Sequence, residues 1–259
     1  MSLRNGAIAQ LRVINAMALR ETRTRFGQHR LGYVWALVEP LTFIAMFAGM
    51  YAIVGRTPPG GMGIIPFLTT GILTYQFFAK TADQGAAAID ANRALLYYPQ
   101  VQTLDLILAR TALEAATYGV AFALIMGSHA LWVGQLTIDS ALTVLWAFLL
   151  ASMLGMSLGL LLCGLGVVSK TVDRIRGPLM RPLFWTSGLF YTANGLPSGA
   201  RDILLYNPVL HCVEVARAGW FPSYEAHHAN PTYVLVWILG FAFFGLTLER
   251  TVRRKVQLT

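Results

Sequence analysis

Long apolar runs separated by short basic segments dominate this chain. A helix needs about 20 apolar residues to cross the hydrocarbon core of a bilayer. Runs that meet or approach that length lie at 32–55, 64–86, 106–127, 141–168, 178–196 and 232–249. The run 141–168 is the clearest, with 28 residues and no charge. The run 106–127 is weaker, because it carries Arg110 and Glu114. Those two are four apart and can pair along one helix face. The run 178–196 is interrupted by Pro178, Arg181 and Pro182. The pattern predicts an all-α, polytopic membrane protein of six transmembrane helices, organised as one domain over 1–259.

Shorter patterns add detail. Ala7, Leu11, Ile14 and Ala18 recur at helical spacing, with Arg4, Arg12, Arg20 and Arg23 between them. This is the pattern of an amphipathic helix lying on a membrane surface; a plain basic leader is the alternative. No continuous apolar core of signal-peptide length is expected there. In 194–222 the apolar stretch Ile203–Val213 is only half a membrane long and is broken at Asn207-Pro208. Runs of that length are re-entrant or interfacial rather than spanning, and proline restricts the residue before it. Two short helices that dip into the membrane and return are expected, against the alternative of an ordinary surface loop. The connection 88–105 places Asp90, Asn92 and Arg93 before Leu95, Leu96 and Tyr98 and stops at Pro99. It reads as a helix lying across the membrane face. The shorter basic connection 169–177, with Arg174, is its counterpart.

Composition narrows the class. Of 259 residues, 56% are hydrophobic and 12% charged, with mean hydropathy +0.55. Soluble domains carry about 25% charged residues, so a soluble enzyme, a disordered chain and a nucleic-acid-binding domain are all excluded. The net charge of +8 then belongs to loops. Six spans put 17 of the 20 Lys and Arg on the side of both termini, leaving Arg56, Arg201 and Arg217 opposite. The positive-inside rule makes both termini cytoplasmic. Cys163 and Cys212 form no disulfide framework.

Catalytic signatures are weak. Gly164, Lys170 and Thr171 have P-loop spacing, but Ser169 replaces the second glycine and the segment ends an apolar run. There is no zinc-site spacing and no G-x-S-x-G motif. Ser187 and His211 are a remote candidate for a protease dyad. No metal site and no cofactor are expected on this chain. Ionisable residues in spans are functional candidates by default; here they are Glu39, Arg110, Glu114 and Arg181. The aromatics carry more. Phe43, Phe47 and Tyr51 form one helical stripe; Tyr75, Phe77 and Phe78 cluster toward the inner half of the second span, and Phe184, Trp185, Phe190 and Tyr191 near the ends of the fifth. Such faces can line a carbohydrate path, or they can be interhelical packing and interfacial belts. Ala151, Gly155 and Gly159 repeat every fourth position, a pattern that permits close helix contact.

The segment RTRFGQHRLGYVWALVEPL, with its G-x-x-W-x-x-x-E-P, resembles the type-2 ABC exporter permeases. So do LPSGARDILLYNPVLHCVEVARAGWF before the last span and the short basic tail. The chain looks like a capsular-polysaccharide export permease of Gram-negative bacteria, related to the O-antigen and teichoic-acid permeases. The resemblance implies a multi-pass inner-membrane homodimer joined to two separate ATP-binding-cassette subunits, where ATP and Mg reside. It implies lipid-linked polysaccharide as substrate, a channel at the dimer interface, a periplasmic adaptor and an outer-membrane export protein. Residues 5–30 match the interface helix, 89–104 the main coupling helix, 169–177 the second, and 194–222 the re-entrant helices at the exit. The expected channel residues are Tyr33, Trp35, Phe43, Phe47, Tyr51, Tyr75, Phe78, Trp185, Phe190 and Tyr191, with Arg30, Arg93, Arg181 and Arg201 attracting an acidic polymer. The expected coupling residues are Asp90, Asn92, Arg93, Leu95, Leu96, Tyr98 and Arg174. A permease for a lipid or small molecule is the next reading; a membrane-embedded enzyme and a passive channel or scaffold are others.

Overall fold

The computed structural model describes residues 3–26, 31–92, 95, 101–135 and 138–256. Among them the protein is helical throughout: α1 (Leu3–Phe26), α2 (Leu31–Val54), α3 (Ile64–Ala86), α4 (Ala88–Ala91), α5 (Thr103–Val133), α6 (Ala141–Val168), α7 (Thr171–Thr186), α8 (Ser198–Leu204), α9 (Pro208–Trp220) and α10 (Pro231–Val256). Four of these are long and apolar enough to cross a membrane: α2, α5, α6 and α10. Helix α3 is less apolar because it is the centre of the bundle, buried along most of its length against α2, α5, α6 and α9. Three of its threonines are satisfied within the helix. Thr69, Thr70 and Thr74 each donate to the carbonyl four residues back, at 2.7, 2.9 and 2.7 Å.

Local chemistry sets the helix ends. Gln102 and Asp105 form a capping box at the start of α5, and Gly134 ends it at φ 74°. Ser140 accepts from the Thr143 amide at 3.2 Å to start α6, and Asn207 accepts from Val209 at 3.0 Å to start α9. The small-residue face of α6 is used as its spacing predicts. A Cβ on Gly155 would stand 2.5 Å from the Phe78 carbonyl oxygen, and one on Gly159 would stand 2.9 Å from that of Ala82. Only glycine lets α3 and α6 approach so closely.

Three elements differ from the sequence reading. Helix α5 is the longest helix, although its charges made it the weakest candidate. Arg110 and Glu114 are buried on its inward face, and Arg110 turns to Glu21 of α1 (2.7 Å) and the Gln84 carbonyl (2.8 Å) instead of to Glu114. The fifth apolar run does not begin at 178. Helix α7 is continuous from Thr171 to Thr186 and absorbs the short basic connection 169–177. Its prolines at 178 and 182 withhold two ladder donors. It stops at Gly188, whose φ of 76° no other residue adopts cheaply. Residues 187–192 are irregular, followed by a 3-10 turn at Ala193–Gly195.

The segment 194–222 does fold as two short helices broken at Asn207-Pro208. Helix α9 is buried almost throughout, packed on α3, α6 and α10.

Candidate functional site

Most of the expected channel aromatics meet in one cluster between α2, α3, α7 and the turn after α7. Phe184 is its hub. Its ring lies 6.3 Å from Phe43, 6.2 Å from Phe47, 5.3 Å from Tyr75, 5.3 Å from Trp185 and 5.8 Å from Phe190. Phe47 and Phe190 are closer still, at 4.5 Å. Edge-on and tilted contacts of this kind are the favoured arrangements for aromatic rings. Two hydroxyls fix the cluster to backbone: Tyr51 donates to the Phe190 carbonyl at 3.0 Å, and Tyr75 to the Met180 carbonyl at 2.7 Å.

Two clefts open on this cluster. The first, about 390 Å³, lies nearer the α4 end and is lined by Glu39, Phe43, Tyr75, Lys80, Arg181 and Phe184 among others. Lys80 pairs with Glu39 at 2.8 Å. The second, about 440 Å³, lies at the far end and is lined by Met50, Tyr51, Val54, Arg56, Phe190 and Tyr191. The Arg56 guanidinium stands 5.9 Å from the Tyr51 ring centre. Trp185, 60% exposed, lines both. The two clefts meet at this shared residue, an aromatic groove in two parts with cationic groups at each end.

Some expected members stand elsewhere. Phe78 is buried like Phe47, Tyr51 and Tyr75, but on the side of α3 where its backbone meets Gly155 of α6. Trp35, 70% exposed, lies on the surface of α2 and lines neither cleft. Arg201 sits on α8, 3.7 Å from Asp202. Arg30 and Arg93 lie outside the described residues, as does the side chain of Tyr33. Ser187 donates to Leu183, and His211 bonds the Leu205 carbonyl at 2.9 Å, so each has a backbone partner and neither faces the other as a dyad.

At the α4 end, polar contacts bind α1, α3, α4, α5 and α7 together. Gln10 of α1 donates to Asp105, and Arg20 to Asn92 at 3.0 Å. Lys170 pairs with Asp90 and Arg176 with Asp83, both at 2.8 Å. Of the expected coupling residues, Asp90 and Arg174 are exposed. Asn92 is buried and holds α1 rather than facing outward. Leu95 packs against the small apolar cluster of Ile89, Val101, Leu106 and Ile107. Leu96 and Tyr98 lie outside the described residues.

Sequence reasoning missed one site altogether. Arg217, expected as a loop charge, is fully buried on α9. It donates to the carbonyls of Tyr191 (2.6 Å) and Leu189 (3.1 Å), lies 3.4 Å from Glu214 Oε1, and its guanidinium covers the Phe67 ring at 4.0 Å. Glu214 accepts from the Ala193 amide at 3.3 Å and from the Tyr224 hydroxyl. Burial, reinforced by Glu214, pushes the Tyr224 hydroxyl above its ordinary range, so it stays a donor at any physiological pH. Nothing in the sequence marks this Arg except its spacing of three from Glu214.

Residues 12–221 match the family described as ABC-2 type transporter. The chain is 31% identical over 261 residues to the polysialic acid transport protein KpsM of Escherichia coli, covering 99% of each. It is 30% identical to the capsule polysaccharide export inner-membrane protein CtrC of Neisseria meningitidis serogroup B, covering 96% of this chain and 94% of that one. Against the capsule polysaccharide export inner-membrane protein BexB of Haemophilus influenzae it is 30% identical with the same coverage. The match spans α2 to α9, the helices that build the groove and its buried anchor, and this chain belongs to the ABC-2 type transporter family.

Proposed function

We propose that this chain is the membrane subunit of an ATP-driven exporter that carries lipid-linked capsular polysaccharide across a bacterial inner membrane. Two copies form the pathway, and two separate ATP-binding-cassette subunits bind ATP and Mg and supply the force. Helices α2, α3, α5, α6, α7 and α10 are the six spans, with both termini cytoplasmic. Three considerations support that frame: the family, the capsule-export names of full-length relatives, and the side-to-side split of lysine and arginine. The α4 end is then cytoplasmic. The segment from Asp90 to Leu95 and the first turn of α7 receive the motion of the ATPase subunits. Helices α8 and α9 re-enter from the outer side, where an adaptor and an outer-membrane export protein continue the route.

The observation that carries the reading is the aromatic groove. Exposed Trp185 and half-buried Phe43, Phe184, Phe190 and Tyr191 offer flat apolar faces to sugars, backed by the buried rings of Phe47, Tyr51 and Tyr75, while Arg181 at the inner mouth and Arg56 at the outer one attract acidic groups. The groove lies between α2 and α7, and Trp185 joins its two halves. Trp185→Ala tests it directly. The side chain is largely exposed, so its loss removes little packing. Membrane abundance and ATPase-subunit binding should stay at wild-type level while surface polymer falls by about tenfold or more. Normal surface polymer in that variant overturns the groove as the path.

A further inference from the structure

Irregular backbone at membrane depth persists only where protein satisfies its polar groups. In the proposed topology residues 187–193 are such a stretch, and α9 ties it down from both ends, its N-cap through side-chain hydroxyls and its C-terminal half through the backbone groups themselves. At its start, Asn207 donates to Ser187 Oγ at 3.0 Å and Thr186 Oγ1 at 3.1 Å. At its other end, Arg217 takes the Leu189 and Tyr191 carbonyls, and Glu214 takes the Ala193 amide. Gly71 of α3 leaves room for this, since a Cβ there would lie 3.0 Å from Arg217 Nη2 and 3.1 Å from Leu189 Cα. Carbonyls 189 and 191 thus point at the buried guanidinium. The carbonyl between them, on Phe190, goes instead to the Tyr51 hydroxyl on α2. The Phe190 ring lies tilted against Phe47, with centroids 4.5 Å apart.

We propose that Arg217 is a positioning residue for transport. By holding carbonyls 189 and 191 from behind, it presents Phe190 and Tyr191 to the groove and fixes the far wall of the pathway. The inference rests on the groove reading above and adds a residue that touches no substrate. The geometry asks for a guanidinium in particular. Two of its nitrogens reach two carbonyls that are two residues apart, and its flat face covers Phe67. A lysine ammonium keeps the charge beside Glu214 but has neither the fork nor the face. Hydrogen bonds from a buried cation are among the stronger ones, so the turn should loosen when the fork is lost even where the charge remains.

Arg217→Lys, assembled with its ATPase subunits in the membrane, is the test. Two readouts are taken in separate backgrounds. One is surface polymer in the otherwise native chain. The other is the rate at which Phe190→Cys reacts with a membrane-impermeant maleimide, in a chain whose buried Cys163 and Cys212 have been replaced by Ala. The expected result is wild-type abundance and basal ATP hydrolysis, surface polymer lowered by about tenfold, and maleimide labelling at position 190 at least about threefold faster. Unchanged labelling overturns the positioning role whatever happens to export. Faster labelling with normal export leaves the turn held by Arg217 but refutes the groove as the route. If Arg217→Lys does not accumulate in the membrane, Gly71→Ala takes its place, since its methyl would stand 3.0 Å from Arg217 Nη2 and 3.1 Å from Leu189 Cα and part the guanidinium from the turn. It should speed labelling of the Phe190→Cys chain by about twofold, and no change overturns the proposal.

Discussion

Gly155→Ala probes the closest approach in the bundle. The new methyl would stand 2.5 Å from the Phe78 carbonyl oxygen and 3.0 Å from Thr81 Cβ. The first neighbour is backbone in the middle of the central helix and cannot rotate away. Relief requires α3 and α6 to separate by several tenths of an ångström along their whole contact. Overpacking of this kind costs about 1–3 kcal/mol, while replacing a helical glycine by alanine returns up to about 1 kcal/mol. Gly127→Ala on α5 makes the same chemical change where nothing lies within 4 Å, so it carries only the favourable part. The two variants should differ by about 1–3 kcal/mol. For a domain of this size that is on the order of 2–12 °C in thermal midpoint. The measurement is thermal unfolding of the purified complex in detergent, followed by size-exclusion chromatography. Gly155→Ala should melt below wild type and Gly127→Ala at or above it. Equal midpoints for the two would refute the idea that glycine spacing on α6 sets the bundle's stability.

Further outcomes can be checked in the same strains. Asp83→Arg and Arg176→Asp alone should each lower export several-fold, with recovery in the double reversal, because their pair links α3 to α7 at 2.8 Å; a double variant no better than the singles removes that link. Arg56→Gln should weaken export of an acidic polymer by about threefold to tenfold without changing the amount of permease in the membrane, and an unaltered surface layer would discharge Arg56 from the pathway. Tyr75→Phe deletes one bond to the Met180 carbonyl, worth about 1 kcal/mol, and should lower the thermal midpoint modestly while export persists. Replacing both Phe47 and Tyr51 by Ala opens a cavity in the cluster and should reduce export together with stability, whereas a fully stable, fully active double variant would show that these rings do not pack as described.

The helical class and four of the six apolar runs were legible because bilayer thickness imposes a length on any spanning helix. The glycine face of α6 was legible for a similar reason: close approach demands small residues at fixed intervals. Aromatic clustering was half legible. The stripe Phe43, Phe47, Tyr51 is a local periodicity, but its meeting with Phe184 depends on where α7 lands. Phe78 has the same local pattern as Tyr75 and goes to the core, because its position on α3 faces α6. What escaped was carried by long-range polar contacts. Arg110 had an obvious local partner in Glu114 and took Glu21 of α1 instead. Arg217 looked like a loop cation, and only the burial of α9 makes it an anchor for a turn 26 residues away. Helix α7 was misdivided because its basic first turns and apolar last turns have opposite character, while its backbone is continuous.

Helix α7 is held differently at its two ends, and this suggests where movement can occur. At the Thr171 end its ties are exposed ion pairs, Lys170 with Asp90 and Arg176 with Asp83. Such pairs are worth about 0–1 kcal/mol each and can exchange partners, since Asp173 lies 3.9 Å from Lys170 and 3.7 Å from Arg176. At the Thr186 end Asn207 donates to Thr186 Oγ1, and the turn that follows is held by Arg217, which donates to the Tyr191 carbonyl, and Glu214, which accepts from the Ala193 amide, all buried side chains shielded from competing solvent. A displacement applied near Asp90 therefore meets little resistance at the first end and strong resistance at the second, so α7 should swing about its last turn. Replacing Asp90 and Lys170 by Cys, in a chain without Cys163 and Cys212, allows a short bis-maleimide to bridge the mobile end. Bridged complexes should lose most polymer export while binding their ATPase subunits normally, and unbridged double-cysteine complexes should export within about twofold of wild type. Full export through the bridged complex would show that the segment around Asp90 and the start of α7 travel together, leaving the swing without a place to happen.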